Sequence, residues 1–412
     1  MNEVLRLGLT ATCLLALGCG AKTGLLVPDS GPDAAPEQDA SIPRDCVVVR
    51  PGVGDVTVDL QTEARLEVAD VMMVVDATAS MGEEIDAIRS RLRDRIVPGI
   101  ARAIPDVEFG LAVFADFPAR GFGNGSDRAY RLIMPITGDL VAAQAAVDEI
   151  PDWNGEDPPE SQVEALYQTA TGEGLDPWVS PSPGCASGGD GYPCFRHEAV
   201  AIVMLFTDAP FHNGPGGSNP YTNLAGPPHT WEEAVDALDA LGARFIGLDS
   251  GDSSSTGRPD MIETAESIGS VTVDGTPLVF DIGKDGQGLD HDVVDAVETL
   301  ADAVRFDVDA VAADVPGDDW DAMQFVVSIA PLRAEPAEGI ESIEANSFRG
   351  VEPGTHVFFL LTVRNDSVVA GPEPVVIPLR IVFRGDGRSP IGERIVDLLI
   401  PGKDGSGECP AE

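Results

Sequence analysis

The chain has 412 residues, 43% of them hydrophobic, with 26 basic residues against 69 acidic ones and a formal charge of -43. So negative a chain is repelled by nucleic acid and by anionic membrane surfaces, which excludes both as partners. The length allows a large core shared between two units, and the spread-out acidity suits an exported soluble exterior and divalent cations alike.

Arg6, the apolar stretch Leu7 to Leu17 and the small residues before Cys19 form an export signal whose apolar part is too short to span a bilayer. Ala16-Leu17-Gly18-Cys19 resembles the bacterial lipoprotein signal, with Ala16 where that pattern most often has leucine and Glu3 in the n-region. A plain secretory signal is the alternative. The resemblance implies cleavage, lipidation of Cys19 and, with Gly20 rather than Asp following, a lipid-anchored place in the cell envelope at the outer membrane. Once Cys13 is cleaved away and Cys19 acylated, Cys46, Cys185, Cys194 and Cys409 remain. An even number in an exported chain reads as disulfides. Cys185 and Cys194 flank a Gly-rich segment and pair locally, which leaves Cys46 for Cys409; the spacing does not support zinc.

Residues 20–45, rich in Pro, Asp, Ala and Ser, have little to bury and read as a disordered tether. Residues 46–69 alternate as β structure at Val47 to Val49, Val56, Val58, Leu60, Leu66 and Val68, with no helix following. They are expected in a different sheet from what comes next. From 70 to 306, apolar strand patterns alternate with helical ones, which predicts an α/β unit with a mainly parallel sheet covered on both faces. Its strands are Val71 to Val75, Phe109 to Phe114, an edge strand at Arg131 to Pro135, Ala199 to Phe206, Arg244 to Leu248 and Leu278 to Asp281. Helices are expected from Ile85 to Ile104, over 139–149, around Val163 to Ala170, around Trp231 to Leu241, near Asp260 to Ile268 and from Asp290 to Val304. Residues 307–412 lose the helical period. Their β runs, Phe325 to Ile329, Thr355 to Val363, Val375 to Phe383 and Arg394 to Ile400, predict a β-sandwich with a turn at Gly385-Asp386-Gly387. A Cys46–Cys409 bridge would draw 46–69 into that sandwich and make the α/β unit an insertion in it.

Strand ends carry Asp76, Asp116 and Asp208, a loop adds Asp157 and Glu160, and Glu83 and Glu84 open a helix. Strand ends of an open α/β sheet are where ligands bind. Unpaired carboxylates a few Å apart repel by about 1 kcal/mol per pair even in water. A divalent cation offsets that, and oxygen-only donors favour Mg²⁺, Mn²⁺ or Ca²⁺. The rival reading of Asp76 to Ser80 is an ordinary helix N-cap, with Ser80 and Glu83 spaced as in a capping box.

Residues 70–306 resemble a von Willebrand factor A domain, most of all the I-like domain of integrin β subunits. Asp76-Ala77-Thr78-Ala79-Ser80 is similar to that family's D-x-[ST]-x-S metal motif, Phe206-Thr207-Asp208-Ala209 to its later strand end, and Asp157-Pro158-Pro159-Glu160 to the segment supplying a metal-binding Glu. The resemblance implies an adhesion site for Mg²⁺ or Mn²⁺ in which Thr78, Ser80 and Glu160 contact the ion directly and Asp76 and Asp208 act through water. An open coordination position would accept an Asp or Glu of a protein partner. It also implies flanking Ca²⁺ sites, one at Glu83 and Glu84, another at Asp116, Asp157, Glu160 and the Pro159 carbonyl, where Gly155 replaces an expected Asn. A metal-dependent phosphatase would need an acid in place of Thr78. The five histidines show no H-E-x-x-H spacing and read as loop or surface residues, and Ser80 has no His partner in sequence. The expectation is therefore a non-enzymatic, metal-dependent adhesion lipoprotein, with a metal-dependent phosphatase-like hydrolase or a structural scaffold without metal-gated binding as the alternatives.

Overall fold

The computed structural model describes residues 42–410 apart from 187, 253 and 285–288. The export signal, Cys19 and residues 20–41 of the tether lie outside the described residues. Arg44 and Asp45, placed with the tether by composition, instead open β1 (Arg44–Val48), which is followed by β2 (Val56–Glu63). Val68, read from sequence as the end of that β segment, opens the next strand, β3 (Val68–Asp76), all of whose residues are buried.

Helices and strands then alternate. α1 (Gly82–Arg91) passes through a π-helical stretch, Leu92–Ile96, into α2 (Val97–Ala103). Pro98 explains the irregularity, because it has no N–H to donate one turn back. There follow β4 (Asp106–Phe114), β5 (Arg131–Thr137), α3 (Leu140–Asp148), α4 (Gln162–Thr171) and β6 (Val200–Thr207). α5 (Trp231–Leu241), β7 (Arg244–Asp249), α6 (Arg258–Ser267), β8 (Val279–Asp281) and α7 (Leu289–Ala303) complete the run.

The sheet order is β5-β4-β3-β6-β7-β8, with every pair parallel except the edge pair β4–β5. Val71, Met73 and Val75 of β3 face a core built with α1, α2, α3 and α7, while Met72 and Val74 face α4, α5 and α6. This alternation explains why β3 is apolar throughout: each face of the sheet is covered by helices. The chain winds outward from β3 on one side and from β6 on the other, so the crevice at their carboxyl ends is a topological switch point.

The remaining strands are β9 (Phe306–Asp314), β10 (Val326–Glu335), β11 (Ser342–Ile343), β12 (Ser347–Val351), β13 (His356–Val363), β14 (Val375–Gly385) and β15 (Ser389–Ile400). They form sheets β1-β15-β14-β9-β12-β11 and β10-β13-β2 around a common core that includes Leu60, Phe359, Ile381 and Phe383. β9, β11 and β12 were not legible as strands. In β9 the residues between the apolar positions are mostly Asp and Ala, and only Val308 is fully buried. β1 pairs with β15, β2 with β13, and Cys46 is bonded to Cys409 with Cα atoms 5.6 Å apart, so the chain leaves this β-rich unit after β2 and re-enters it at β9. Cys185 and Cys194 are bonded as their spacing predicted. Asp386 and Gly387 turn β14 into β15 with successive positive φ values of 49° and 69°, which suits Asp-Gly in a tight hairpin. The hairpin meets the α/β unit, where Arg244 pairs with Asp386 and Ser389 Oγ donates to the Val68 carbonyl at 3.1 Å.

Candidate metal centre

Asp76 ends β3 with no exposed surface. One carboxylate oxygen, Oδ1, accepts from the Thr78 amide at 2.9 Å and the Thr78 hydroxyl at 2.7 Å; the other accepts from Thr207 Oγ1 on β6 at 2.7 Å. Thr78 Oγ1 lies 3.1 Å from Ser80 Oγ, which donates to Asp208 Oδ1 at 3.1 Å. A run of close oxygen contacts thus crosses the switch point from Asp76 to Asp208; with each hydroxyl hydrogen given to a carboxylate, the Thr78 and Ser80 oxygens face each other with lone pairs free. The N-cap alternative fails on geometry: neither Thr78, before the short 3₁₀ turn, nor Met81, before α1, makes a side-chain cap bond, and the two hydroxyls face carboxylates instead.

The loop carrying Glu160 is stitched to three strand ends. The Trp153 amide donates to the Ala77 carbonyl at 2.9 Å, Ser161 donates through both N–H and Oγ to the Ala115 carbonyl, and the Glu160 amide donates to the Pro210 carbonyl at 3.1 Å. Gln162 Nε2 ties the start of α4 to Thr207 Oγ1 and the Ala209 carbonyl, each at 3.0 Å. Glu160 is 4% exposed and its Oε2 has no hydrogen-bond partner. Burial, then the charges of Asp76, Asp116, Asp157 and Asp127, push its carboxyl up to about 11. Burial, then Asp208, raises Asp76 to about 7, and burial raises Asp208 as well. An orphaned buried oxygen among carboxylates that resist ionisation is the donor set a divalent cation satisfies, and its oxygen character fits Mg²⁺ or Mn²⁺.

Gly155 adopts φ 63°, and a Cβ there would lie 2.5 Å from Glu160 Oε1. A side chain at 155, such as the Asn that the family has there, would displace that carboxylate, which gives a physical reason for the glycine. Asn154 is exposed beside it. Of the other flanking residues, Glu83 is exposed on the first turn of α1, whereas Glu84 is buried, has an unpartnered Oε2 and is raised to about 7 mainly by burial. Pro159 is half-buried between Asp157 and Glu160.

Asp116 and Asp157 are joined by His212, whose Nε2 lies 3.4 Å from Asp116 and 3.2 Å from Asp157. His212 is in a loop, as the sequence reading allows for the histidines, but it is only 3% exposed and faces two carboxylates, which that reading does not foresee. Asp127, which accepts from the Gly155 amide, and Tyr221, which donates to Asp116 Oδ1 at 2.6 Å, were also missed. So was Asp249, the buried end of β7. The only signal for His212 was its place four residues after Asp208.

No family model matches the chain, and no curated protein matches it. Two solved structures of the pilus adhesin SpaC from Lactobacillus rhamnosus GG, one in an open conformation, are similar to it at 14% identity, with TM-scores of 0.34 and 0.36. Each likeness covers 85% of this chain and 45% or 46% of the adhesin, so the chain spans less than half their length.

Proposed function

We propose that the α/β unit is a von Willebrand factor A-type domain that binds an acidic residue of a protein partner through a divalent cation, with no enzymatic role. The observation that carries this reading is the chain Asp76–Thr78–Ser80–Asp208 beside the orphaned Glu160 oxygen at the switch point. Thr78, Ser80, Glu160, Asp76 and Asp208 would hold Mg²⁺ or Mn²⁺, and the bound ion supplies positive charge and a coordination position for the partner's carboxylate. Asp76 orients the Thr78 hydroxyl and Asp208 orients that of Ser80. Ser80 is exposed, which leaves the centre open to a large ligand. Glu83 and Glu84 would hold Ca²⁺ beside it. After cleavage of the export signal, lipidated Cys19 would anchor the protein at the outer membrane, so that the membrane is touched only through lipid.

Thermal unfolding in EDTA and in Mg²⁺, Mn²⁺ or Ca²⁺ tests the proposal. A ligand at about 100 times its Kd stabilises the folded state by roughly 2.7 kcal/mol, a rise of several degrees in Tm. The rise is expected in wild type and lost in Asp208→Ala. An equal response of both proteins overturns the metal site and leaves a structural scaffold.

A further inference from the structure

Asp116, Asp157 and His212 each offer one ligand atom, and the three atoms lie within 4.8 Å of one another. Three buried atoms in this group lack any hydrogen-bond partner: Asp116 Oδ2, Asp157 Oδ1 and His212 Nε2. His212 is held in the form that binds metal. Its Nδ1 meets the Asn219 carbonyl at 2.7 Å and must donate there, so the neutral ring turns its lone pair on Nε2 toward the two carboxylates. Tyr221 stacks on the imidazole with ring centres 4.1 Å apart, and Phe122 meets its edge at 5.4 Å. Asp116 is fixed as firmly, since Oδ1 accepts from the Phe117 amide and the Tyr221 hydroxyl, each at 2.6 Å, leaving Oδ2 for the group. Asp157, with 30% of its side chain exposed, provides the path from solvent.

We propose that Asp116, Asp157 and His212 form a separate site for a borderline divalent cation of the zinc class. Calcium takes about six to eight oxygens, whereas an imidazole nitrogen with two carboxylates and a position left for water is a zinc-type set. An imidazolium clamped between the two acids is the alternative. It is disfavoured because Nε2, although 3.4 Å from Asp116 and 3.2 Å from Asp157, is not aligned to donate a well-directed hydrogen bond to either. The site uses none of Asp76, Thr78, Ser80 or Asp208, so it stands independently of the main centre; it takes Asp116 and Asp157 from the flanking Ca²⁺ site that the family resemblance implies and replaces that assignment, with His212 as the added ligand.

Untagged protein stripped with EDTA and dialysed is titrated with Zn²⁺ in excess Mg²⁺ and Ca²⁺, which saturate oxygen-only sites. Wild type is expected to retain one Zn²⁺ per chain, with an imidazole visible in X-ray absorption at the zinc edge. His212→Gln and Asp116→Asn, which remove direct ligands, are expected to weaken retention by more than the roughly 10–100-fold that losing an outer-shell partner costs, and His197→Gln, at an exposed histidine, to leave it unchanged. An all-oxygen shell in wild type, no retention in excess Mg²⁺ and Ca²⁺, or wild-type affinity in folded His212→Gln overturns the proposal. The wild-type spectrum decides even where the buried substitutions unfold the protein.

Discussion

Ser80 and Asp208, 128 residues apart in sequence, are joined by a hydrogen bond of 3.1 Å across the gap between β3 and β6. Because Ser80 is exposed, Ser80→Ala should change the stability of the metal-free protein by no more than about 1 kcal/mol. It removes a proposed ligand oxygen and frees Asp208, so the Tm increment produced by Mg²⁺ should shrink sharply. A large loss of Tm in EDTA would mean that the hydroxyl serves the fold and not the ion.

Gly155 and Glu160 make the second test. Gly155→Ala introduces both a positive-φ penalty of about 1–2 kcal/mol and a Cβ placed 2.5 Å from Glu160 Oε1. Gly275→Ala, at φ 84° with nothing within 4 Å, carries the backbone penalty alone. Both variants should melt lower in EDTA, and only Gly155→Ala should lose the Mg²⁺ increment. Equal increments in the two would separate Glu160 from metal binding.

The pH dependence follows from burial. Asp76 at about 7, Asp116 at about 8 and Glu160 at about 11 all lie above the values these carboxyls regain on unfolding. Between the unfolded and folded values the metal-free native state binds more protons than the unfolded chain. Their contribution to stability is therefore full below the unfolded values and falls as pH rises toward 7 and 8. Cation binding requires the ionised ligands and releases protons, so the Mg²⁺ increment in Tm should grow from about pH 5 to about pH 8. Glu160→Gln should flatten the metal-free pH slope and reduce the increment; an increment independent of pH would contradict the coupling.

The Cys46–Cys409 bond fastens the five-residue edge strand β1 to the C-terminal segment. Chain-entropy arguments put the stabilisation from closing loops of roughly 100 residues or more near 5 kcal/mol. Cys46→Ser with Cys409→Ser should lower Tm by several degrees and speed hydrogen exchange at Arg44 to Val48. The Mg²⁺ increment should be unchanged, since the candidate centre lies in the other sheet; loss of that increment would show coupling between the two units.

Much of the architecture could be read from one dimension because its determinants are local. Apolar runs in β3 and β6 mark strands buried on both faces, and Asp76, Thr78, Ser80 and Asp208 sit where those runs stop. The two disulfides were legible because only four cysteines remain once Cys13 and Cys19 are set aside. Tertiary structure decided what depends on contacts between loops. His212 reads as a loop residue until the Glu160 loop pairs beside Phe211 and turns the imidazole toward Asp116 and Asp157. Gly155 reads as a missing ligand until its backbone is seen to make room for Glu160. β9 reads as irregular because its partners, β14 and β12, come later in the chain, and only pairing with them satisfies its backbone. Strand ends are set by the chain's own hydrophobic period, whereas the donors around a buried charge are chosen by which distant segments the sheet order brings together.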